Sequence, residues 1–238
     1  MKYFFSVFIL FFYLISFAGE GEDFVDIGDF IKESHVNMIY STSDNFTGRD
    51  MYGSFDRCFL RKEVASMLKK AHNVLKKNNP ELTFLIYDCL RPRSVQWSMW
   101  KVVKKTPQQK YVAYPGRGSV HNYGAAVDLT LAAKDGTPVD MGTPVDYFGK
   151  KAQPRYESLM IKKGELSKSQ LKNRRLLRSV MREAGFRAIA SEWWHFNAFS
   201  VKEVRKRYKI IENISDIQKK EKAEAPSSKK ESESSSDH

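Results

Sequence analysis

Cysteine is nearly absent from this chain of 238 residues; only Cys58 and Cys89 occur. Neither stands in a Cys-x-x-Cys arrangement, so a thiolate zinc centre is disfavoured. An oxidising compartment would permit a disulfide closing a loop of about thirty residues, but spacing alone does not bring the two Cα atoms within reach. No cysteine follows the N-terminal apolar run, which excludes a lipoprotein attachment there. Long hydrophobic runs are lacking too. The longest, Tyr3 to Phe17, falls short of the roughly 20 residues a spanning helix needs. Acidic residues are outnumbered, 28 against 40 basic, for a net charge of +12. The excess is spread along the chain, with no nucleic-acid motif beside it, so nucleic acid is not an expected partner. An anionic envelope surface, peptidoglycan included, would suit the charge, as would a merely solvated basic face. No internal repeat is present.

Residues 1–18 have the outline of a secretory signal: Lys2, an apolar stretch, then Ser16-Phe17-Ala18 with small residues at the recognition positions. An exported protein, periplasmic or secreted, is expected, with an uncleaved membrane anchor as the alternative. Residues 19–217 have the length and pattern of one domain. From 218 to 238 the chain is mainly Lys, Glu and Ser without a large apolar residue, a composition that cannot order itself by burial.

Within the domain, Asp23, Asp26 and Asp29 lie in a loosely packed or edge-strand opening. Lys62 to Lys77 is an amphipathic helix, with Val64, Met67, Leu68, Ala71, Val74 and Leu75 on one face. Asn78-Asn79-Pro80 ends it. Thr83 to Tyr87 is a buried strand, and Ser94 to Lys105 a helix anchored by Val95, Trp97, Trp100 and Val103. A hairpin-like connection surrounds Asp135-Gly136. Ser167 or Ser169 caps a helix running to Ala184, where Gly185 stops it. Phe186 to Ala190 leads on as a strand, and Ser200-Val-Lys-Glu203 is a capping box. His35 and His72 are read as surface and structural residues.

The chemistry gathers in two stretches, Ser119 to Asp128 and Glu192 to His195. They supply His121, Asp128 and His195 as candidate metal ligands and Glu192 as a spare carboxylate. A catalytic zinc site uses three such ligands and keeps a position for water, and a nearby carboxylate is the natural base. His121 and Asp128 are seven residues apart, so in a straight strand they would face opposite ways. The chain must bend between them, most easily at Gly124. Asp128 sits in a run of small and β-branched residues, where a carboxylate is expensive unless paired. Trp193 and Trp194 favour extended backbone, so a turn or bulge must aim Glu192 and His195 into one site. Taken singly, these residues could equally be satisfied core histidines and a turn-capping aspartate.

Ser119, His121, Gly124, Ala126 and Asp128 fit the S-x-H-x-x-G-x-A-x-D pattern of zinc D-alanyl-D-alanine peptidases, the family that shares its metal site with hedgehog-type proteins. Glu192-Trp-Trp-His195 is similar to the E-W-W-H of the D-Ala-D-Ala dipeptidase branch known from vancomycin resistance. The resemblance runs from about Tyr40 to Phe199. It implies an α+β fold, a small, mostly antiparallel sheet carrying the zinc site and flanked by helices. It implies one Zn2+ per chain on His121, Asp128 and His195, with Glu192 as general base. Arg91 would face the developing oxyanion, Asp146 would meet the free ammonium of a small D,D-dipeptide, and Ser119, Trp193 and Tyr40 would line its pocket. Read without the resemblance, Ser119 is a turn-stabilising hydroxyl, Asp146 a solvated loop aspartate, and Arg91 a surface residue or an anion holder. Alternatives within reach of the pattern are a D,D-carboxypeptidase or endopeptidase on longer wall peptides, and a zinc-binding module without turnover.

Overall fold

The candidate site hangs on a five-stranded sheet in the computed structural model, which describes residues 24–217. The N-terminal signal-like segment and the Lys/Glu/Ser tail lie outside the described residues. The chain opens with Phe24–Asp26 (β1) and a short helix, Ile27–Phe30 (α1), capped by the Asp26 side chain. His35–Val36 (β2) follows, then, after a long turn-rich segment, Phe59–Arg61 (β3). Lys62–Asn78 (α2) buries Val64, Leu68, Ala71 and Leu75, the face its periodicity predicts. Leu82–Asp88 (β4) is the apolar strand, lengthened by one residue at each end. Arg93–Val103 (α3), Ala126–Ala133 (β5), Glu157–Lys162 (α4) and Lys168–Glu183 (α5) come next. Arg187–Ala188 (β6), His195–Asn197 (β7) and Val201–Arg207 (α6) close the fold.

The sheet order is β2-β4-β5-β7-β6, and every pairing but one is antiparallel. The exception is β2 alongside β4. A separate two-stranded ribbon joins β1 to β3, so of the acidic opening Phe24–Asp26 forms a strand; Asp29 lies in α1 and Asp23 outside the described residues. This is the α+β architecture expected, with α2 and α5 packed together on one side of the sheet. Phe84, Ile86, Leu129, Leu131 and Phe196 are buried from the sheet side, and Leu68, Leu75, Leu177 and Met181 from the helices. At ~1.5–3 kcal/mol for each fully buried side chain, such a core outweighs any single polar contact.

Several boundaries shift for local reasons. The helix placed at Ser94 starts at Arg93 behind Pro92, whose fixed φ suits a helix start. Trp97, read as an anchor, is 38% exposed, while Gln96 is fully buried in its stead. The strand at Phe186 is shorter than the apolar run, only β6. Ser167, not Ser169, caps α5, in a reciprocal capping box with Gln170. Ser200 and Glu203 form the second predicted box. Cys58 and Cys89 are joined as a disulfide, their Cα atoms 5.3 Å apart. It ties the end of β4 to the segment entering β3.

Candidate active site

Three elements deliver the metal-ligand candidates. His121 lies in a 3-10 turn, Val120–Tyr123, capped by Ser119 and Asn122 in another reciprocal box. That turn ends at Gly124 in the left-handed region, φ 68°. A Cβ there would meet a Phe24 ring carbon at 2.9 Å, so glycine serves both the bend and the packing. β5 begins two residues later and carries Asp128 inward. Opposite Asp128, His195 opens β7, paired with it in register. The seven-residue spacing works because the bend reorients one half of the stretch against the other.

The three donors converge. His121 Nε2 lies 3.1 Å from His195 Nδ1 and 3.3 Å from Asp128 Oδ2, and His195 Nδ1 lies 2.9 Å from Asp128 Oδ1. The outer nitrogen of each ring already donates. His121 Nδ1 is 2.6 Å from the Cys89 carbonyl, and His195 Nε2 is 2.8 Å from Asn197 Oδ1. A neutral imidazole that donates through one nitrogen presents a bare lone pair at the other. Two lone pairs and a carboxylate at these distances repel unless something positive sits among them. The donor set, two imidazoles and a carboxylate with the outer nitrogens fixed, fits zinc. Where a proton fills the gap instead, the bridge falls between His195 and Asp128. Burial alone would lower the His195 pKa, but the hydrogen bond and charge of Asp128 hold it up at about 9. Burial would raise Asp128; the charges of the two histidines, His121 above all, keep it well below the usual carboxylate range.

Glu192, Arg91, Asp146, Tyr40 and Ser119 line the same cavity of about 250 Å³. Glu192 sits in the bend before β7. Burial, with the nearby Asp128 charge adding to it, pushes its carboxyl upward against the pull of His195. Asp146 has a positive φ of 60°, uncommon outside glycine, and accepts a hydrogen bond from the Tyr40 hydroxyl at 2.7 Å. Burial pushes Asp146 up to about 7 despite that bond. Arg91 is nearly buried, and three of its five N–H groups are committed: Nε and Nη2 donate to Asp88 Oδ2, Nη1 to Gln96 Oε1. Its guanidinium lies over the Tyr40 ring and 3.7 Å from Asp128 Oδ2. The turn-stabilising reading of Ser119 holds as well, since its hydroxyl accepts from the His121 N–H.

Trp193 is the residue that sits elsewhere. It lines a neighbouring cavity and donates from Nε1 to Thr143 Oγ1 at 2.8 Å, while Trp194 lines the triad cavity. Glu192, Trp194 and His195 line the triad cavity, and Trp193 is the one residue of the motif that the bend at 193–194 turns to the neighbouring side.

Sequence reading missed Asp88. It is wholly buried, receives Arg91 and the Tyr52 hydroxyl at 2.6 Å, and stands 3.6 Å from His121 Nδ1. A signal existed in an acid at the end of an apolar strand, three residues before Arg91. Asn197, two residues after His195, and Gln96, on the face of α3 turned to the site, were missed too. So was the aromatic wall formed by Tyr111, stacked on Phe148, with Phe46 set edge-on to it.

Against known proteins, residues 20–214 match the family model described as D-ala-D-ala dipeptidase. A D-alanyl-D-alanine dipeptidase of Escherichia coli K12 is 31% identical over 174 residues, covering 73% of this chain and 83% of that protein. One from Enterococcus faecium is 30% identical, covering 66% of this chain and 82% of its own length. One from Synechocystis is 28% identical over 197 residues, covering 70% and 77%.

Proposed function

The chain belongs to the D-ala-D-ala dipeptidase family, and on that premise we propose that it hydrolyses D-alanyl-D-alanine, or a related D-X dipeptide, to free amino acids. The observation that carries the reading is the meeting of His121, Asp128 and His195 with Glu192, Arg91 and Asp146 around one cavity. When bound, zinc supplies Lewis acidity, lowering the pKa of a water to about 7 and polarising a carbonyl. His121, Asp128 and His195 would hold it, their rings kept in the ligating tautomer by the Cys89 carbonyl and Asn197.

The remaining work falls to the chain's own side chains. Glu192 accepts the proton of the attacking water and returns it to the departing amine, a task helped by a carboxyl that burial raises above its ordinary range. Arg91 faces the charge that develops on the scissile oxygen; Asp88 and Gln96 keep its fork from turning. Asp146, oriented by Tyr40, takes the substrate's free ammonium, which favours a substrate that begins there. The cavity wall of Phe46, Tyr111 and Phe148 limits water around the reacting bond.

We further read residues 1–18 as an export signal, 19–217 as the single catalytic domain and 218–238 as an appended charged tail, with the mature protein outside the cytoplasm. The Cys58–Cys89 disulfide supports that compartment. The deciding measurement is metal content together with release of D-alanine from D-Ala-D-Ala. Zinc-loaded protein that releases none would point to a binding module, and a preference for a pentapeptide stem to a carboxypeptidase.

A further inference from the structure

Strand alternation puts Asp128 and Thr130 of β5 on one face, two residues apart. Asp128 reaches the triad cavity. Thr130 lines a second cavity, of about 700 Å³. The two cavities share Phe46 and Asp146 as lining, so the Asp146 carboxylate stands on their border. Thr130 is 1% exposed and its hydroxyl has no hydrogen-bond partner. Buried hydroxyls are nearly always satisfied, so an unmet one facing a cavity marks a place where something polar binds. The walls are otherwise apolar, Ile39, Val139 and Met141 among them, while the carboxylates of Asp44 and Asp140 stand among the lining residues and are exposed. Acid gathered there runs against the chain's net charge of +12.

We propose that this second cavity receives the side chain of the substrate's first residue, and that it suits a long aliphatic side chain ending in an ammonium. The inference rests on the dipeptidase reading and deepens it. With the α-ammonium on Asp146 and the carbonyl toward the triad, the first residue's Cα lies at the border of the two cavities. The smaller cavity must hold the rest of the dipeptide. A side chain longer than alanine's therefore runs the other way, its stem along the apolar wall and its ammonium toward the Thr130 hydroxyl and the Asp44 carboxylate.

The test compares kcat/KM for D-Ala-D-Ala, D-norleucyl-D-Ala and D-lysyl-D-Ala on zinc-loaded wild type, Asp44→Asn and Val139→Phe. Ratios between substrates within one protein cancel any loss of folded enzyme. In wild type, the lysyl substrate should be cleaved about as well as D-Ala-D-Ala and better than the norleucyl one. Asp44→Asn should lower the lysyl-to-norleucyl ratio about 3-fold, as loss of an exposed charge pair does. Val139→Phe should lower both long-to-short ratios about 10-fold or more, on the scale of a filled side-chain pocket. Wild type that rejects both long substrates, or ratios unmoved in both variants, overturns the inference and leaves the dipeptidase reading standing. Equal handling of lysyl and norleucyl substrates overturns the ammonium assignment. Failure to cleave D-Ala-D-Ala itself overturns the dipeptidase reading and the inference with it.

Discussion

Asp146 and Glu192 are both carboxylates raised by burial, yet they ask different things of the solvent. Asp146, pushed up to about 7 from an ordinary 3.8, keeps its proton in the fold across a range where the unfolded chain has lost it. Its contribution to stability is therefore full below pH 4 and is lost as pH rises through about 7. Ammonium binding needs the ionised form, so the two effects oppose each other. Asp146→Asn should raise KM for D-Ala-D-Ala ~10-fold or more above pH 7. In thermal melts at pH 8 the same variant should gain ~1–2 kcal/mol, a few degrees, after allowance for the side chain's partial exposure. In wild type kcat/KM should climb with pH toward 7, and the variant should lose that limb. A cation on the triad draws the Asp146 pKa down, which sets the limb at or below 7. For Glu192→Gln, we expect kcat to fall by ~10²–10⁴-fold with zinc content unchanged; near-normal turnover would remove Glu192 from the role of base. Asp88 acts through others. Asp88→Asn leaves the Arg91 cation buried with a weakened partner, which should cost ~3 kcal/mol of stability and lower kcat more than it raises KM. Of these residues, the triad and Glu192 stood out from the sequence because ligand chemistry restricts residue type and spacing. Asp88 did not, because burying an acid against an arginine leaves no periodic trace.

At the scale of elements, α5 holds the long connection after β5 in place. Arg174, 1% exposed, donates to the carbonyls of Met141 and Lys151, while Asn173 and Gln170 grip Asp140. Burial lowers the Arg174 pKa to about 10, against the pull of Glu157, a sign of how little water reaches it. Because this loop carries Asp146, Arg174→Met should raise KM several-fold with a smaller change in kcat, and steady-state kinetics on D-Ala-D-Ala would show the split. The disulfide acts on the other side of the site. It secures Cys89, whose carbonyl fixes the His121 tautomer, between Asp88 and Arg91. Replacing both cysteines by serine should cost ~3–4 kcal/mol, from the 31-residue separation, and should weaken zinc retention in equilibrium dialysis. The helices were legible because their apolar faces repeat every three to four residues, as in α2. The pairing of β2 was not: two residues, His35 and Val36, contain no period, and their parallel seat beside β4 is imposed by the apolar strand they cover.

For the molecule as a whole, the proposed zinc joins three pieces of chain far apart in sequence: the turn at His121, the centre of β5 and the start of β7. A ligand bound only by the folded state adds ~4 kcal/mol at a thousandfold excess over its Kd. Treatment with a chelator should therefore lower Tm by several degrees, and added zinc should restore it; calorimetry that shows no shift would speak against the triad as a metal site. Residue types and their local order marked the candidate ligands and the candidate base through their motifs, and they determined the bend at Gly124, the amphipathic helices and their caps, since bend, helix and cap each depend on groups within a few positions. Tertiary structure alone decided that Cys58 meets Cys89, that Asp88 and Gln96 hold Arg91, that Trp194 rather than Trp193 lines the triad cavity, and that Asp146 borders two cavities. Cys58–Cys89 and Tyr40–Asp146 join positions 31 and 106 residues apart, Asp88 and Gln96 reach Arg91 from three and five positions away but across the break between β4 and α3, and the tryptophan pair turns on the bend before β7; packing chooses such partners by shape and desolvation, which leave no periodic mark on the chain.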